Sequence, residues 1–267
     1  MYHAYWRLNR PPFASREAAP LFYEGESQLE SLARLRFVAR QRQNALMVGE
    51  RGAGKSTLLG QFAAQCRAEG RDLAAANLAG LSAREFLWNV AAQLSLGPRP
   101  DDDAIRLFRR LADHAAATRW RNASTLLLLD DADQAGPDVH LQLSRLLSLS
   151  ESGTAWLTLI MASTPSGVAR LGESLLDAID LRIDAGPWNE AETIGYIQHA
   201  LLEAGADQPI FEDEALSTLY SLTDGLPRRV NRLADHALLG AAAEGLETVD
   251  AGMIEAAHEA ISWTATA

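Results

Sequence analysis

The chain has 267 residues, of which 48% are hydrophobic and 22% are charged, values that are ordinary for a soluble globular protein. Its 24 basic and 35 acidic residues give a formal charge of −11. This charge argues against a protein whose main role is to coat nucleic acid, although a local basic groove is compatible with it. The N-terminus lacks the basic and then apolar layout of a signal peptide, and no stretch reaches the roughly 18 apolar residues of a membrane span. The composition therefore predicts a cytoplasmic protein, or one that associates with a membrane through a partner.

The first 24 residues are rich in proline and aromatic side chains, which disfavours a regular helix. We expect them to pack as an arm against the main domain, with the alternative that their rings flank an adenine. Further along, four short apolar runs predict buried strands, and the segments between them carry apolar residues at helical spacing. The predicted strands are 45–48, 73–78, 125–131 and 155–162, and the predicted helices are 27–42, 58–66, 82–96, 105–117 and 140–149.

A change of pattern near residues 184–188 predicts a domain boundary, because every strong signal after it is helical. The first of these helices is marked by Asn189 and Glu192, which form a capping-box signature. We therefore predict an α/β domain at residues 1–186, with a parallel sheet covered on both faces, and a small all-helical domain at residues 187–267.

Residues 49–57 match the pattern G-x-x-x-x-G-K-[ST] at every fixed position and lie between a predicted strand and a predicted helix. In this arrangement backbone N–H groups surround a phosphate, and the positive end of the helix dipole stabilises the anion. Lys55 can reach the β- and γ-phosphates and the Ser56 hydroxyl can ligate Mg²⁺; the alternative is a glycine-rich turn that matches by chance. The predicted nucleotide-binding residues are Gly49, Glu50, Arg51, Gly52, Ala53, Gly54, Lys55, Ser56 and Thr57.

A run of four leucines, residues 126–129, is followed by Asp130 and Asp131. An unbroken apolar run is typical of a central parallel strand, and open α/β sheets place their ligands at the carboxyl ends of such strands. We predict that Asp130 holds Mg²⁺ together with Ser56 and comes from a strand adjacent to that of the phosphate loop. Asp131 is then expected to orient or deprotonate the attacking water. A simple helix cap is the alternative, and Asp133 is left unassigned as a cap or a neighbour of this site.

The predicted strand at 155–162 ends at Ser163, Thr164 and Pro165. If this strand neighbours the strand of the phosphate loop, a polar residue at its end lies beside the γ-phosphate. Thr164 is the first candidate for that position and Ser163 is the second. A plain turn before Pro165 is the alternative.

Three arginines cluster at the start of a helix in the predicted helical domain: Arg228, Arg229 and Arg232. An arginine at this place could cross the cleft between the domains and contact a triphosphate, which would couple nucleotide state to the angle between the domains. A solvated basic cluster is the alternative, and residue spacing does not separate the two.

Taken together, these motifs resemble those of AAA+ ATPases and, more closely, those of the ATPase domain of the general secretion pathway protein A family. Besides the phosphate loop, the resemblance rests on a Leu-x-x-x-Pro-Phe element in the arm, an aromatic pair that follows it, and the helix-opening signature Gly-x-Pro-Arg-x-x-Asn-x-Leu. It spans nearly the whole chain. The matching residues are Leu8, Pro12, Phe13, Leu21, Phe22 and Tyr23 in the arm and Gly225, Pro227, Arg228, Asn231 and Leu233 near the C-terminus.

The resemblance implies a P-loop AAA+ fold, a three-layer parallel sheet followed by a helical lid, in an enzyme that binds and hydrolyses ATP with Mg²⁺ as a switch or assembly factor. It implies that Thr164 is the sensor-1 residue and that Arg228 is the sensor-2 arginine that contacts the γ-phosphate. Arg182 would reach the nucleotide of a neighbouring subunit in a nucleotide-dependent homo-oligomer. The client protein is not identified. Two alternatives are an ATPase associated with DNA, of the transposition or replication-loading type, and a nucleotide-binding scaffold with little turnover.

The chain departs from the family pattern in two places. Asp131 stands where the family usually has a glutamate, which is one methylene longer. If its carboxylate is therefore held too far back, hydrolysis is slow, since a misplacement of about 1 Å can lower a rate ~100-fold. Relatives in secretion also typically continue into a membrane segment and a peptidoglycan-binding part, which these 267 residues do not contain.

Overall fold

The structure is a computed structural model that describes residues 2–13, 22–149 and 156–262. Leu21 of the arm and Ala155 of a predicted strand lie outside these ranges. The chain divides into two compact units. The helical unit contains Met1–Leu29, Gly52–Gly54 and Gly186–Ala267, and the α/β unit contains Glu30–Arg51 and Lys55–Ala185.

The predicted helices and strands are present in the described residues, with small shifts at their ends, and α1, α7 and β5 are additional elements. None of the helices in these ranges combines the length and the apolar character that crossing a bilayer requires. The strands are β1 Ala45–Val48, β2 Leu73–Asn77, β3 Thr125–Asp130, β4 Leu157–Ser163 and β5 Leu181–Asp184. The helices are α1 Tyr2–Tyr5, α2 Glu26–Gln41, α3 Lys55–Ala68, α4 Ala83–Gln93, α5 Ala104–Trp120, α6 Pro137–Leu147, α7 Glu173–Leu176, α8 Glu190–Glu203, α9 Asp213–Thr223, α10 Pro227–Glu244 and α11 Ala251–Ser262, with 3-10 segments at Ala132–Gln134 and Pro165–Leu171.

The α/β unit is built on a five-stranded sheet in the order β2-β3-β4-β1-β5, and every strand runs parallel to its neighbours. The four strands predicted from the sequence are confirmed. β5 is an additional strand at the edge of the sheet. The apolar pattern does not reveal it, because Arg182 and Asp184 are exposed and only Ile183 is buried.

The order of the strands corrects one prediction. β4 lies between β1 and β3, so Asp130 does not come from the strand adjacent to that of the phosphate loop. β3 and β4 are both buried along nearly their whole length, so the apolar pattern cannot decide which of them is adjacent to β1. The prediction for Thr164 required that its strand lie beside the strand that precedes the phosphate loop. This requirement is met, because β4 pairs with β1 and Ser163 pairs with Val48.

Helices cover both faces of the sheet, as the sequence predicts. Leu127 and Leu129 of β3 belong to a core cluster with residues of α4, α5 and α6. Leu126 and Leu128 point to the opposite face, because side chains alternate along a strand. α3 contributes nothing to that cluster and contacts β2 and β3. The parallel α/β architecture with three layers is therefore confirmed.

The helical unit packs α8, α9, α10 and α11 around its own core, and the N-terminal arm contributes to that core. Leu8 and Phe13 of the arm are buried in it, and Trp6 Nε1 donates a hydrogen bond of 3.0 Å to Leu238 O. α1 is a single helical turn in a segment that we expected to lack helix. Because of these contacts residues 1–29 group with the helical residues, whereas the predicted division placed them with the α/β domain.

His114 on α5 lies in a buried polar group at one end of β3. Its Nε2 is 3.0 Å from Thr125 Oγ1 and 3.3 Å from Thr118 Oγ1, and its ring stands edge-on to that of Trp156 with centroids 6.3 Å apart. Burial lowers the pKa of the His114 imidazole, and the nearby carboxylate of Asp72 opposes this shift only in part. The folded α/β unit therefore favours neutral His114.

We expect the free energy of unfolding to fall on acidification through the ordinary histidine pKa of about 6.5. Unfolded His114 takes up a proton in this range while folded His114 resists it, so the unfolded state binds more protons and gains stability as the pH decreases. Urea unfolding at about pH 8 and about pH 5 checks this, with His114→Gln as the test and exposed His236→Gln as the matched control. The loss of unfolding free energy between the two pH values should be smaller in His114→Gln than in the wild type, and in His236→Gln it should equal that of the wild type. Equal losses in all three proteins would contradict the prediction.

Candidate functional site

The parallel strands of the α/β unit bring four polar segments to one edge of the sheet. Gly49 follows β1 and its N–H donates to Ser163 O at 3.2 Å. Asn77 ends β2 and pairs in register with Asp130 at the end of β3. Thr164 follows β4 directly. The structure thus places Gly49, Asp130, Asp131 and Thr164 at the carboxyl ends of the strands, where open α/β sheets bind ligands.

The phosphate loop turns through two glycines in backbone conformations that favour glycine. Gly52 has a φ of 93° and Gly54 a φ of 90°, and side chains with a Cβ rarely adopt these values. Ala53 between them is buried, Arg51 is exposed and Thr57 is half-buried. The loop is therefore shaped by its glycines, as the motif predicts.

Lys55 is the only lysine in the sequence, and it is 6% exposed. Its Nζ donates to Gly49 O at 2.7 Å and to Glu50 O at 3.0 Å. Burial lowers the pKa of the Lys55 ammonium, and the charges of Asp130, Asp131 and Asp133 oppose this shift. The Lys55 ammonium can exchange its two bonds to neutral carbonyls for bonds to a phosphate, because a phosphate is a stronger acceptor than a neutral carbonyl.

Ser56 and Asp130 come together at the start of α3. Ser56 Oγ donates to Asp130 Oδ2 at 2.5 Å, so a hydroxyl and a carboxylate oxygen lie within reach of one ion. Hard oxygen donors of this kind fit Mg²⁺, which usually takes one or two protein ligands and completes its shell with water and phosphate oxygens. The described residues contain no cluster of three or more acidic, histidine or cysteine side chains that could hold a metal ion.

Asp131 adopts a left-handed backbone conformation with a φ of 49°, which aspartate tolerates better than most residues. Its carboxylate accepts a hydrogen bond of 2.8 Å from Asn77 Nδ2, and its own N–H donates to Asp130 Oδ1 at 3.0 Å. Sequence reasoning did not single out Asn77. Its signal was a polar residue at the end of a predicted strand, the same signal that identified Asp130 and Thr164.

The hydroxyls at the end of β4 have different partners. Ser163 Oγ is buried and donates to Thr164 O at 2.9 Å, whereas Thr164 Oγ1 donates to Asp133 Oδ2 at 2.7 Å. Thr164 precedes the 3-10 segment Pro165–Leu171 without capping it through its side chain. The plain turn therefore does not explain the threonine hydroxyl, and Asp133 joins the site as a buried residue that the sequence left unassigned.

The other two predicted residues, Arg182 and Arg228, have partners of their own. Arg182 on β5 is 64% exposed in its side chain and binds Asp184, with Nε at 2.8 Å and Nη2 at 2.7 Å from the same oxygen. Arg228 is the second residue of α10 in the helical unit, where its N–H donates to Gly52 O at 3.1 Å. Their roles at a nucleotide remain predictions.

The sheet order, the phosphate loop after β1 and the acidic end of β3 together define a P-loop nucleotide-binding fold of the AAA type. Residues 38–171 match the family model described as "AAA domain". This match covers half of the chain and includes the phosphate loop, Asp130 and Thr164. The chain therefore belongs to the AAA domain family.

A relative and several solved structures agree with this assignment. General secretion pathway protein A of Aeromonas hydrophila is 29% identical, over 98% of this chain and 49% of that protein, so the chain spans about half the length of this relative. Aeropyrum pernix ORC1 in complex with DNA superposes with a TM-score of 0.67 and 17% identity, covering 95% of this chain and 70% of that one. Drosophila ORC bound to DNA superposes with a TM-score of 0.70 and 14% identity, covering 95% of this chain and 65% of that one. The RuvB Holliday junction branch migration motor of Thermotoga maritima superposes with a TM-score of 0.56 and 16% identity, covering 88% of this chain and 68% of that one. The predicted AAA+ fold and the similarity to protein A are thus confirmed.

Proposed function

We propose that the chain binds ATP with Mg²⁺ at this edge of the sheet and hydrolyses it, as a switch or assembly factor. The observation that carries the proposal is the contact between Ser56 Oγ and Asp130 Oδ2. It brings the end of the phosphate loop and the end of β3 within reach of one metal ion. The family assignment supports the same chemistry, and the named residues give each part of it a place.

Lys55 and the N–H groups of the phosphate loop are proposed to hold the β- and γ-phosphates. Lys55 would exchange its bonds to the carbonyls of Gly49 and Glu50 for bonds to phosphate oxygens. A bound anion would also offset the effect of burial on the pKa of Lys55, because a nearby negative charge favours the protonated form. When bound, Mg²⁺ would offset the charge of the triphosphate beside Asp130 and Asp131.

Asp131 is proposed to orient the attacking water and to accept its proton. The water oxygen forms a bond to the γ-phosphorus, the bond from that phosphorus to the bridging oxygen breaks, and ADP and phosphate are the products. Asn77 holds the Asp131 carboxylate through its amide and so limits the directions in which it can point. Arg228 and Arg182 are proposed to contact the γ-phosphate from the helical domain and from a neighbouring subunit, as the resemblance implies.

The unique lysine allows a direct test of binding. Calorimetry with ATP, ADP and GTP in the presence of Mg²⁺ should show binding of ATP, and phosphate release should follow. An amine-reactive reagent should modify Lys55 slowly in free protein and more slowly still with ATP bound, with the N-terminal amine as the internal control. The proposal is wrong if none of the nucleotides binds and ATP leaves the labelling of Lys55 unchanged.

Association with DNA is a second candidate, and one feature of the α/β unit favours it. Trp120 at the end of α5 is 89% exposed, Arg121 follows it, and Arg42 donates to Asn122 Oδ1 at 3.1 Å. Exposed aromatic rings among arginines are typical of surfaces that bind single-stranded nucleic acid. ATP hydrolysis that is stimulated by DNA and weakened by salt would support this candidate; a rate that DNA does not change would count against it.

The level of organisation above the site is also a proposal. We propose an ATPase domain within residues 1–186, whose N-terminal arm groups with the helical residues, and a lid at 187–267. Nucleotide-dependent homo-oligomers and a cytoplasmic location, with membrane association through a partner, are proposed as well. Mass measurement with and without ATP tests assembly directly. An unchanged mass would remove the oligomer, and with it the proposed role of Arg182 at a neighbouring subunit's nucleotide.

A further inference from the structure

Asp133 is a buried carboxylate beside the proposed nucleotide site to which the mechanism assigns no role. Its side chain is 0% exposed. Oδ2 accepts the hydrogen bond from Thr164 Oγ1 at 2.7 Å, and Oδ1 is buried without a hydrogen-bond partner among the described residues. Gln134 Nε2 also donates to Oδ2, at the longer distance of 3.5 Å, and Arg170 Nη2 lies 3.6 Å from Oδ2 on a side chain that is 57% exposed. A buried carboxylate with so few donors depends strongly on each of them, and Thr164 is the donor with the shortest contact.

Two further observations tie Asp133 to this place. Its negative charge acts on Lys55, whose pKa it raises against the effect of burial, so it lies within electrostatic reach of the phosphate position. A Cβ built at Gly167 would lie 2.0 Å from Asp133 Oδ2. The backbone after Thr164 therefore closes tightly over the carboxylate, and only a glycine at this position leaves room for it.

We propose that Asp133 controls the direction of the Thr164 proton and thereby sets how strongly the site prefers ATP over ADP. This inference rests on the proposed function and on the prediction that Thr164 contacts the γ-phosphate of the bound ATP. A hydroxyl has one proton to donate. While Thr164 donates it to Asp133, the hydroxyl presents only lone pairs to a phosphate, and these repel an anion.

ATP and ADP place different demands on this bond. To donate to the γ-phosphate, Thr164 must release Asp133, which leaves the buried carboxylate with only the longer contacts to the Gln134 amide and to Arg170. ADP has no γ-phosphate and leaves the bond intact. Asp133 is therefore a positioning residue that acts through Thr164, and it lowers the affinity for ATP relative to that for ADP.

The test is a double-mutant cycle on the ratio of ATP to ADP affinity, measured by calorimetry with Mg²⁺. Asp133→Asn supplies an amide that can donate to Thr164 and so releases the hydroxyl proton for the phosphate. The substitution also removes a negative charge near the phosphates, and the Thr164→Val background measures that effect alone. Asp133→Asn should raise the ratio of ATP affinity to ADP affinity in both backgrounds. The rise should be about three- to tenfold larger when residue 164 is threonine than when it is valine, which is the range expected for one hydrogen bond.

Matched variants make the outcome decisive. Thr158→Val removes a buried hydroxyl of β4 that has no hydrogen-bond partner among the described residues, and it should leave the effect of Asp133→Asn unchanged. Thr164→Ser keeps the hydroxyl and should keep the coupling. Gly167→Ala should raise the ratio by an independent route, because its methyl group displaces the Asp133 carboxylate. Thermal unfolding of each variant verifies that it is folded.

The inference and the proposed function fail in different ways. The role of Asp133 would be overturned if Asp133→Asn raised the ratio of ATP affinity to ADP affinity equally with threonine and with valine at position 164, in folded variants. It would also be overturned if Gly167→Ala had the same ratio as the wild type. Wild-type protein that binds neither ATP nor ADP would instead overturn the proposed function on which the inference rests.

Discussion

Asp131→Asn is expected to lower the rate of ATP hydrolysis by roughly 100-fold or more while ATP still binds. The asparagine keeps the size of the side chain, and its oxygen can still accept from Asn77, but it cannot take a proton from water. The loss should therefore appear in kcat, with little change in affinity. Phosphate release under saturating ATP, together with calorimetry, checks this result.

Two further variants define what that result means. Asp113→Asn neutralises an exposed acid on α5 and should leave the rate unchanged; equal rates for wild type and Asp131→Asn would remove Asp131 from the mechanism. Asp131→Glu restores the longer side chain that is usual in the family. If the wild type binds ATP tightly without releasing phosphate and Asp131→Glu restores release, the nucleotide-binding scaffold with little turnover is the better description.

Lys55→Met is expected to weaken ATP binding by about 100-fold or more, because it removes a charge-assisted donor to the phosphates. The effect on electrostatics adds to this loss. With the only lysine gone, the carboxylates of Asp130, Asp131 and Asp133 face the triphosphate with one cation fewer beside them. Calorimetry with ATP and Mg²⁺ gives the affinity directly, and amine labelling should then fall to that of the N-terminal amine.

Arg67→Met is the matched control for this variant, since it removes an exposed cation from the last turn of the same helix. It should change the ATP affinity by less than about threefold, because exposed charges far from a ligand are screened by salt. Wild-type affinity in Lys55→Met would refute the proposed grip on the phosphates. Lys55→Arg should restore the affinity only in part, because the guanidinium is larger than the buried space around the ammonium.

Much of the fold follows from local patterns in the sequence. The capping boxes at Ser82 and Asn189, the proline that opens α10 and the four apolar runs each depend on residues close together in the chain, so they can be found without tertiary structure. β5 was missed because a four-residue edge strand with two exposed charged residues carries little periodicity. The helical turn in the arm was unexpected because tertiary contacts, such as that of Trp6 with Leu238 O, can stabilise a turn that its composition disfavours.

The candidate site shows the same division. Lys55, Ser56 and Asp130 could be predicted because a phosphate loop and the acidic end of a buried strand have recognisable local sequences. The polar character of Asn77 at the end of a strand is visible in the sequence, but its hydrogen bond to Asp131 depends on β2 lying beside β3, and no single strand specifies the order of the strands.

The sequence by itself determined the positions of β1 to β4 and of the longer helices, and it identified the phosphate-loop motif, because these depend on residues near one another in the chain. Only the tertiary structure decided that β4 separates β1 from β3 and that Thr164 donates to Asp133 rather than to its own backbone. Contacts of this kind join residues about 30 positions apart. Their geometry follows from how strands of equal apolar character pack together, which local spacing does not specify.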